Sequence, residues 1–315
     1  MAFEGLFLSY LTAMRFHNKP YSRFIFLFIL WLLNSTCSPL DQTFIEEQNG
    51  EWIENLIANN KLEVQKICKT GEGIENICQG YSAQGVMVKD RVMFRLYDSG
   101  LCQTFDLSDI TCPQKIASFE LGSHIFSNHA NCAQGYMDEN GEFLMYVSGL
   151  HHGKTYVERI STTGSTLVQT ITLSKTELFD NYISLNSVCS DNGELWFFGS
   201  GGNKLFFAKA RRPLLAEGDV TLGDDDFIDS WFEEGYNYDE DVWQGGKVYN
   251  GFLFMLFGTR NSKRHLAIYN TRIHERIVDI DFTNIIREET EDCEILPEGI
   301  LIVTNGGNHY YLIRF

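Results

Sequence analysis

Two short polar motifs carry the residue types that binding or catalysis requires. They are Asn128-His129-Ala130-Asn131-Cys132 and, near the C-terminus, Glu289-Thr290-Glu291-Asp292-Cys293. Carboxylates, an imidazole and amides that converge on one point could hold a divalent cation through oxygen ligands, or could hydrogen-bond sugar hydroxyls. The candidate ligand-binding residues are Gln84, His129, Asn131, Asn186, Gln244, Glu289, Glu291 and Asp292. Glu291 and Asn131 are the candidate metal ligands, and no residue is assigned a catalytic role.

These side chains also have a purely structural interpretation, in which they satisfy backbone groups and waters and so tie neighbouring strands together. The sequence does not indicate a serine-hydrolase site, because it has no Gly-x-Ser-x-Gly elbow, or a cysteine zinc site, because it has no Cys-x-x-Cys pair. The acidic, aromatic-rich stretch from Asp224 to Asp241 is interpreted as a solvated insertion over a sheet edge, with a sugar-stacking loop as the alternative.

A repeated strand pattern predicts the elements that position the candidate residues. An apolar strand, a polar or Gly-bearing turn and a second strand recur five times. The apolar strands begin at residues 93, 144, 195, 253 and 300, which gives spacings of 51, 51, 58 and 47 residues. Apolar residues alternate or cluster instead of recurring at i, i+3 and i+4, which favours strands over helices. Outer strands are predicted in four units, at Ile116–Leu121, Leu167–Leu173, Asp219–Leu222 and Arg276–Asp281.

Four antiparallel strands at a period near 50 residues are typical of a propeller blade. A single blade cannot bury both of its faces, whereas radial stacking covers each face and leaves only short edges. The sequence therefore predicts an all-β fold, a β-propeller of five blades with four antiparallel strands each, over residues 63–315. The last unit ends at Phe315 after three strands, so an N-terminal strand such as Glu63–Ile67 is expected to close the ring. The candidate residues would then line the central channel at one mouth.

Residues 1–37 are predicted to be an export leader, in which Met14 is an alternative start. The apolar run Phe24–Leu33 follows the basic residues Arg15, Lys19 and Arg23. This is the layout of a secretory signal peptide, and the run is shorter than the ~20 residues that a bilayer crossing needs.

The leader ends in Leu33-Asn34-Ser35-Thr36-Cys37, which is similar to a bacterial lipobox, although Asn34 stands where an aliphatic residue is usual. The favoured hypothesis is lipidation of Cys37, which would make the protein an exported, membrane-anchored lipoprotein of the bacterial envelope, in the periplasm or at the cell surface. Ordinary cleavage and secretion, an uncleaved anchor and a buried helix are the alternatives. Residues 38–62 are predicted to be a linker with one short helix, Glu51–Asn60.

The net charge of the chain argues against one class of binding partner. The net charge is −17, and no run of Lys or Arg offers a basic face, so nucleic acid is excluded as a partner.

Besides Cys37 there are seven cysteines, an odd number that cannot pair completely within the chain. Cys68–Cys78 and Cys102–Cys112 are pairs close enough in sequence to form disulfides, and the candidate buried cysteines are Cys132, Cys189 and Cys293.

The His129 and Glu291 motifs resemble the HAN and E-P-E-[DG] signatures of small, five- to six-bladed propellers found in Bacteroides-type lipoproteins. They are also similar to the five-bladed head domains of teichoic-acid-type biosynthesis and phage adsorption proteins. The resemblance covers about residues 80–315, and Thr290 stands where the pattern has proline. It implies the fold and glycan or cell-surface binding, but no chemistry.

Three functions are compatible with the sequence. The leading hypothesis is a surface-tethered, non-enzymatic module that binds a glycan, peptide or protein at the channel mouth. The second is a metal-dependent hydrolase or lactonase that uses the inner-strand carboxylates and a divalent cation. The third is a structural component of an envelope assembly.

Overall fold

The computed structural model describes residues 63–67, 81–126, 128–149, 153–174, 185–305 and 310–314, which belong to one compact unit. The leader, Cys37, the helix predicted at Glu51–Asn60, Cys68 and Cys78 lie outside the described residues. In the part described, no helix is long and apolar enough to cross a bilayer.

The described residues form five sheets that are arranged as the blades of a propeller. Four sheets have four antiparallel strands, and the sheet of blade 2 has a fifth strand that pairs in parallel at its edge. The first described strand, β1 (Glu63–Ile67), belongs to the last blade. Blade 1 contains β2 (Ala83–Lys89), β3 (Val92–Tyr97), β4 (Leu101–Asp106) and β5 (Gln114–Glu120). Blade 2 contains β6 (Ala133–Met137), β7 (Phe143–Ser148), β8 (Lys154–Ser161) and β9 (Gly164–Leu173). Blade 3 contains β10 (Leu185–Cys189), β11 (Glu194–Gly201) and β12 (Lys204–Arg211), followed in the chain by β13 (Val220–Leu222) and then by its outer strand β14 (Phe227–Glu234).

Blade 4 contains β15 (Trp243–Tyr249), β16 (Phe252–Phe257), β17 (His265–Asn270) and β18 (Glu275–Asp281). Blade 5 contains β19 (Glu289–Leu296), β20 (Gly299–Asn305) and β21 (Tyr310–Arg314). Its outer strand is β1, which pairs antiparallel with β21 so that Val64 lies opposite Ile313. The predictions of five blades and of ring closure by an N-terminal strand are therefore confirmed. The short 3₁₀ helices are Asp98–Gly100, Gly122–Phe126, Leu215–Glu217 and Asp224–Asp226.

The apolar core lies between the blades. Four clusters of buried side chains each join two neighbouring blades: Phe94 with Met145, Leu144 with Phe197, Phe198 with Met255, and Met93 with Leu301. This is the reason for the repeated apolar strand in the sequence. The second strand of every blade has both faces covered, and so nearly all of its residues are apolar.

Glycine lets the inner strands of neighbouring blades approach closely. A Cβ on Gly85 would lie 2.7 Å from the Ala130 carbonyl oxygen, and the Gly85 N–H donates to that oxygen at 2.8 Å. A Cβ on Gly245 would lie 2.5 Å from the carbonyl oxygen of Glu291. Any larger residue at these positions would push two blades apart at the axis.

The prediction for the outer strand of blade 3 is wrong. Within the predicted segment, β13 pairs in parallel with β9 of blade 2, with Val220 opposite Ile171. The outer strand is β14, which lies inside the acidic stretch that was predicted to be a solvated insertion. Trp231 of β14 stacks on Phe207 with ring centroids 4.8 Å apart, a large apolar contact that the three residues of β13 cannot supply.

A Cys102–Cys112 disulfide is also a wrong expectation, since both thiols are free. Cys102 is fully buried between blades 1 and 2, whereas Cys112 lies in the exposed turn between β4 and β5. Cys132, Cys189 and Cys293 are free and buried, as predicted for small core residues, and burial raises the pKa of each thiol.

Candidate functional site

Three inner strands carry a β-bulge near the channel mouth. The register shifts lie between Ala83 and Val86, between Trp243 and Gly246, and between Thr290 and Asp292. The extra residue in each strand falls where Gln84, Gln244 and Glu291 stand. Because a bulge changes the direction of a side chain relative to the regular pleat, it sets how these predicted residues are presented. The sequence did not indicate the bulges, although glycine after Gln84 and Gln244 is a compatible signal.

Four of the predicted residues form one hydrogen-bonded chain that links four blades. The Asn186 side-chain oxygen accepts from Asn131 Nδ2 at 3.0 Å and from Ser148 Oγ at 3.2 Å. Asn186 Nδ2 donates to the Gln244 carbonyl oxygen at 2.8 Å, and Gln244 Nε2 donates to Glu289 Oε1 at 3.2 Å. The structure thus brings these residues together, and much of their polar capacity is used between blades.

Two further predicted residues near this hydrogen-bonded chain have polar atoms that remain available for hydrogen bonding. Gln84 is 3% exposed, and its Oε1 atom has no hydrogen-bond partner among the described residues. Glu291 is 2% exposed. Burial, followed by the negative charge of Glu289, raises the pKa of Glu291 well above that of an ordinary carboxyl, although a hydrogen bond from Asn305 opposes this. Burial thus favours the neutral form of Glu291, in which the carboxyl can both donate and accept a hydrogen bond.

Among the predicted ligand-binding residues, His129 and Glu289 are partly exposed. His129 lies in the connection that precedes β6, and Glu289 is the first residue of β19. The groups that solvent reaches are thus an imidazole and a carboxylate, whereas the four amides and Glu291 are buried. We call Gln84, His129, Asn131, Asn186, Gln244, Glu289 and Glu291 the mouth cluster.

The last predicted residue, Asp292, serves a different purpose. Its Oδ2 atom lies 2.6 Å from Lys247 Nζ, and both side chains are buried, with 0% and 1% exposure. The same oxygen accepts the Val86 N–H at 2.9 Å and the Ala133 N–H at 3.4 Å. One carboxylate oxygen thus joins blade 5 to blades 1, 2 and 4, whereas the Oδ1 atom of Asp292 is buried and has no hydrogen-bond partner among the described residues.

Lys247 was missed by the sequence reasoning. It is a single cation in the otherwise uncharged strand β15, and its partner lies 45 residues away in sequence, so no local pattern marks the pair. Burial raises the pKa of Asp292 to about 6 even though Lys247 favours the charged form. Burial opposes the charge of Lys247, but attraction to Asp292 and to Glu294 outweighs burial and raises the lysine pKa.

A second contact crosses the axis. Gln134 of blade 2 donates from Nε2 to the Val248 carbonyl oxygen at 2.6 Å and accepts the Val248 N–H at 3.1 Å. Val248 belongs to blade 4, which is not a neighbour of blade 2 in the ring. At the depth of Lys247 and Gln134, protein side chains therefore occupy the centre of the propeller.

The mouth cluster consists of four amides, one imidazole and two carboxyl groups. Across the described ranges there is no group of three or more His, Cys, Asp or Glu side chains arranged to hold a metal ion. Amides and a protonated carboxyl both donate and accept hydrogen bonds, which suits hydroxyl groups.

No protein-family model and no curated protein matches the sequence. Among solved structures, the chain is similar to the tail fibre of Staphylococcus aureus phage P68, with 14% identity and a TM-score of 0.50 over 84% of this chain and 55% of that one. It is also similar to an exo-β-1,3-galactanase from Phanerochaete chrysosporium, solved with galactose, with 10% identity and a TM-score of 0.48 over 79% and 64% of the two chains. The chain spans a little over half of the tail fibre, and this likeness supports the propeller fold alone.

Proposed function

We propose that the protein is a non-enzymatic binding module that recognises a neutral glycan through the mouth cluster. The single observation that carries this proposal is a buried acceptor without a partner at the mouth: Gln84 is 3% exposed, and its Oε1 atom has no hydrogen-bond partner among the described residues. A buried polar atom without a partner costs free energy, so a ligand hydroxyl that bonds it would gain affinity.

Charge supports a neutral ligand. The net charge of −17 disfavours polyanions at long range, and Glu289 at the mouth is an acceptor suited to hydroxyl groups. A phage tail fibre shares the propeller architecture, which is compatible with a binding role. A peptide or protein partner is the competing outcome of the binding test.

The module is proposed to be tethered to the bacterial envelope by a lipid on Cys37 after removal of residues 1–36. The support comes from the basic and apolar leader and the lipobox-like sequence. Metabolic labelling with a palmitate analogue tests this, since labelling of the wild type and its loss in Cys37→Ala are expected. Equal labelling of both proteins would exclude a lipid on Cys37.

Glycan-array binding of the purified full chain, followed by calorimetry, tests the mouth. Gln84→Leu and Glu291→Gln are expected to weaken binding about tenfold, the cost of leaving a site's polar group unpaired. Gln114→Ala, a change at an exposed glutamine on β5, is the matched control and should leave affinity unchanged. Unaltered affinity in both mouth variants would refute the proposal.

Hydrolysis is the second candidate, and one observation favours it: Glu291 is close enough to Glu289 for that negative charge to add to the rise in its pKa, so the two carboxyls differ in how readily they hold a proton. Incubating array hits with the protein and analysing the products distinguishes binding from cleavage. Metal analysis of the same sample, with Glu291→Ala as the control, tests the divalent cation predicted at Asn131 and Glu291.

A further inference from the structure

A cleft on the outer part of blade 2 lies away from the mouth cluster. Its volume is about 260 Å³. It lies where the connection between blades 1 and 2, the strands β8 and β9 of blade 2, and the segment of blade 3 that contains β13 meet. The lining residues are Phe126, Lys154, Tyr156, Thr170, Thr172, Asp219, Val220 and Thr221. The volume is just below the ~300–1,000 Å³ of pockets for drug-sized ligands, so the cleft suits one small ring.

One wall of the cleft is fixed by the parallel strand β13. Its residues Val220 and Leu222 pair with β9 of blade 2, and the Asp219 carboxylate accepts the Thr170 N–H at 2.7 Å. The Gln169 side chain donates to the Gly218 carbonyl oxygen at 2.6 Å. These hydrogen bonds hold the β13 segment of blade 3 against blade 2, so the cleft is preformed.

The opposite wall is an aromatic platform. Phe126 is 44% exposed, and its ring stacks on Tyr156 with centroids 5.8 Å apart and an interplanar angle of 5°. Tyr156 is itself buried, so it supports the Phe126 ring, which keeps nearly half of its surface exposed. An exposed phenylalanine with a fixed orientation loses little conformational entropy when a flat apolar surface covers it.

Polar groups with unused hydrogen-bonding capacity surround the platform. Three threonines line the cleft, of which Thr170 and Thr172 are partly exposed and Thr221 is exposed, so their hydroxyls are accessible to a ligand. Lys154 contributes an ammonium group 5.9 Å from the Phe126 ring centroid, and one oxygen of Asp219 remains available. An apolar face ringed by neutral hydroxyls, one cation and one anion matches a pyranose, which has an apolar C–H face and a rim of hydroxyls.

We propose that this cleft binds a single neutral pyranose unit of a glycan. The C–H face of the sugar packs on Phe126, its hydroxyls bond the threonine hydroxyls, and Lys154 and Asp219 donate to and accept from a vicinal pair. The site is independent of the mouth cluster, and its ligand class follows from the cleft residues alone.

Saturation-transfer NMR of the full chain with a panel of methyl pyranosides, followed by calorimetry, tests the proposal. Phe126→Ala is expected to weaken binding at least about tenfold, as for the loss of a central aromatic anchor. Phe232→Ala is the matched control, because Phe232 is 41% exposed and has Lys204 Nζ 5.4 Å from its ring centroid. This control is expected to change affinity by less than about twofold.

Thr172→Val removes a hydroxyl at constant shape and is expected to weaken binding about threefold to tenfold. The same titration is repeated in the Gln84→Leu background, where binding at the mouth is weakened, so that the signal that remains there and is lost when Phe126→Ala is added is assigned to the cleft. The proposal is overturned if no neutral pyranoside gives a signal, if only acidic sugars bind, or if Phe126→Ala and Phe232→Ala behave alike.

Discussion

Replacing Lys247 with methionine would leave the Asp292 carboxylate without its buried counter-ion. The two groups are 2.6 Å apart and almost completely shielded from water. Removing one partner of a buried ion pair destabilises a protein by about 3–5 kcal/mol, since the remaining charge stays desolvated. Asp292 keeps the N–H groups of Val86 and Ala133, so we expect a loss of about 3 kcal/mol, at the lower end of this range.

Urea unfolding at pH 7.5, followed by tryptophan fluorescence, measures this loss. Lys204→Met is the matched control, because Lys204 Nζ also lies 2.6 Å from its partner, Glu234, but the two side chains are 39% and 65% exposed. An exposed pair contributes only about 0–1 kcal/mol, so the control should unfold close to the wild type. Equal losses in Lys247→Met and Lys204→Met would refute the reasoning.

The pH dependence gives a second readout for the same variant. The Asp292 pKa of about 6 in the folded protein lies above the ~3.9 of an unfolded chain, so this group's contribution to stability falls as the pH rises from about 4 to 6. Without Lys247, its pKa should rise further. The destabilisation of Lys247→Met is therefore expected to shrink between pH 7.5 and pH 5, and a constant difference would contradict the assignment.

Three further predictions concern the core and its charges. Burial opposes the charge of His265, but hydrogen bonds to Asp241 and Asp279 outweigh it and raise the histidine pKa. Its stabilisation should be full below about pH 6.5 and lost as the pH rises through the folded-state pKa, so His265→Gln should cost less at pH 9 than at pH 6 in urea unfolding. Gly245→Ala should destabilise by about 1–3 kcal/mol through overpacking, whereas Gly164→Ala, with its nearest neighbour 3.9 Å away, should be close to neutral in the same assay. Native maleimide labelling with peptide mapping should modify Cys112 and spare the buried thiols at Cys102, Cys132, Cys189 and Cys293; protection of Cys112 would contradict the free, exposed thiol.

The repeated blades could be predicted because each blade has the same local sequence pattern of apolar strands and turns. Strands such as β16 (Phe252–Phe257) are apolar at every position since both faces are covered, and turns separate them at nearly regular spacing. The closing strand β1 was predictable because the last unit lacks an outer strand. The outer strand of blade 3 was not, because Val220–Leu222 and Phe227–Glu234 both have strand character, and only the tertiary contact of Trp231 with Phe207 decides between them.

The residues of the mouth cluster could be predicted from their positions at the start of the inner strands. Their states could not, because the raised pKa of Glu291 arises from burial and from Glu289, which depend on how five blades converge. For the same reason the sequence did not indicate the buried ion pair that Asp292 forms with Lys247.

Closure of the ring by β1 is the claim on which the axis, the mouth cluster and the blade packing all depend. Val64 and Ile313 lie opposite each other in the β1–β21 pair, and paired residues have Cα atoms about 4.5–5.5 Å apart, within the range that a disulfide spans. The full chain with Val64→Cys and Ile313→Cys is expected to form an intramolecular disulfide in the monomer, detected by peptide mass mapping. The pair Val64→Cys with Tyr311→Cys, two residues out of register, should not form one. Absence of the first cross-link, or equal formation of both, would contradict the closed five-bladed ring.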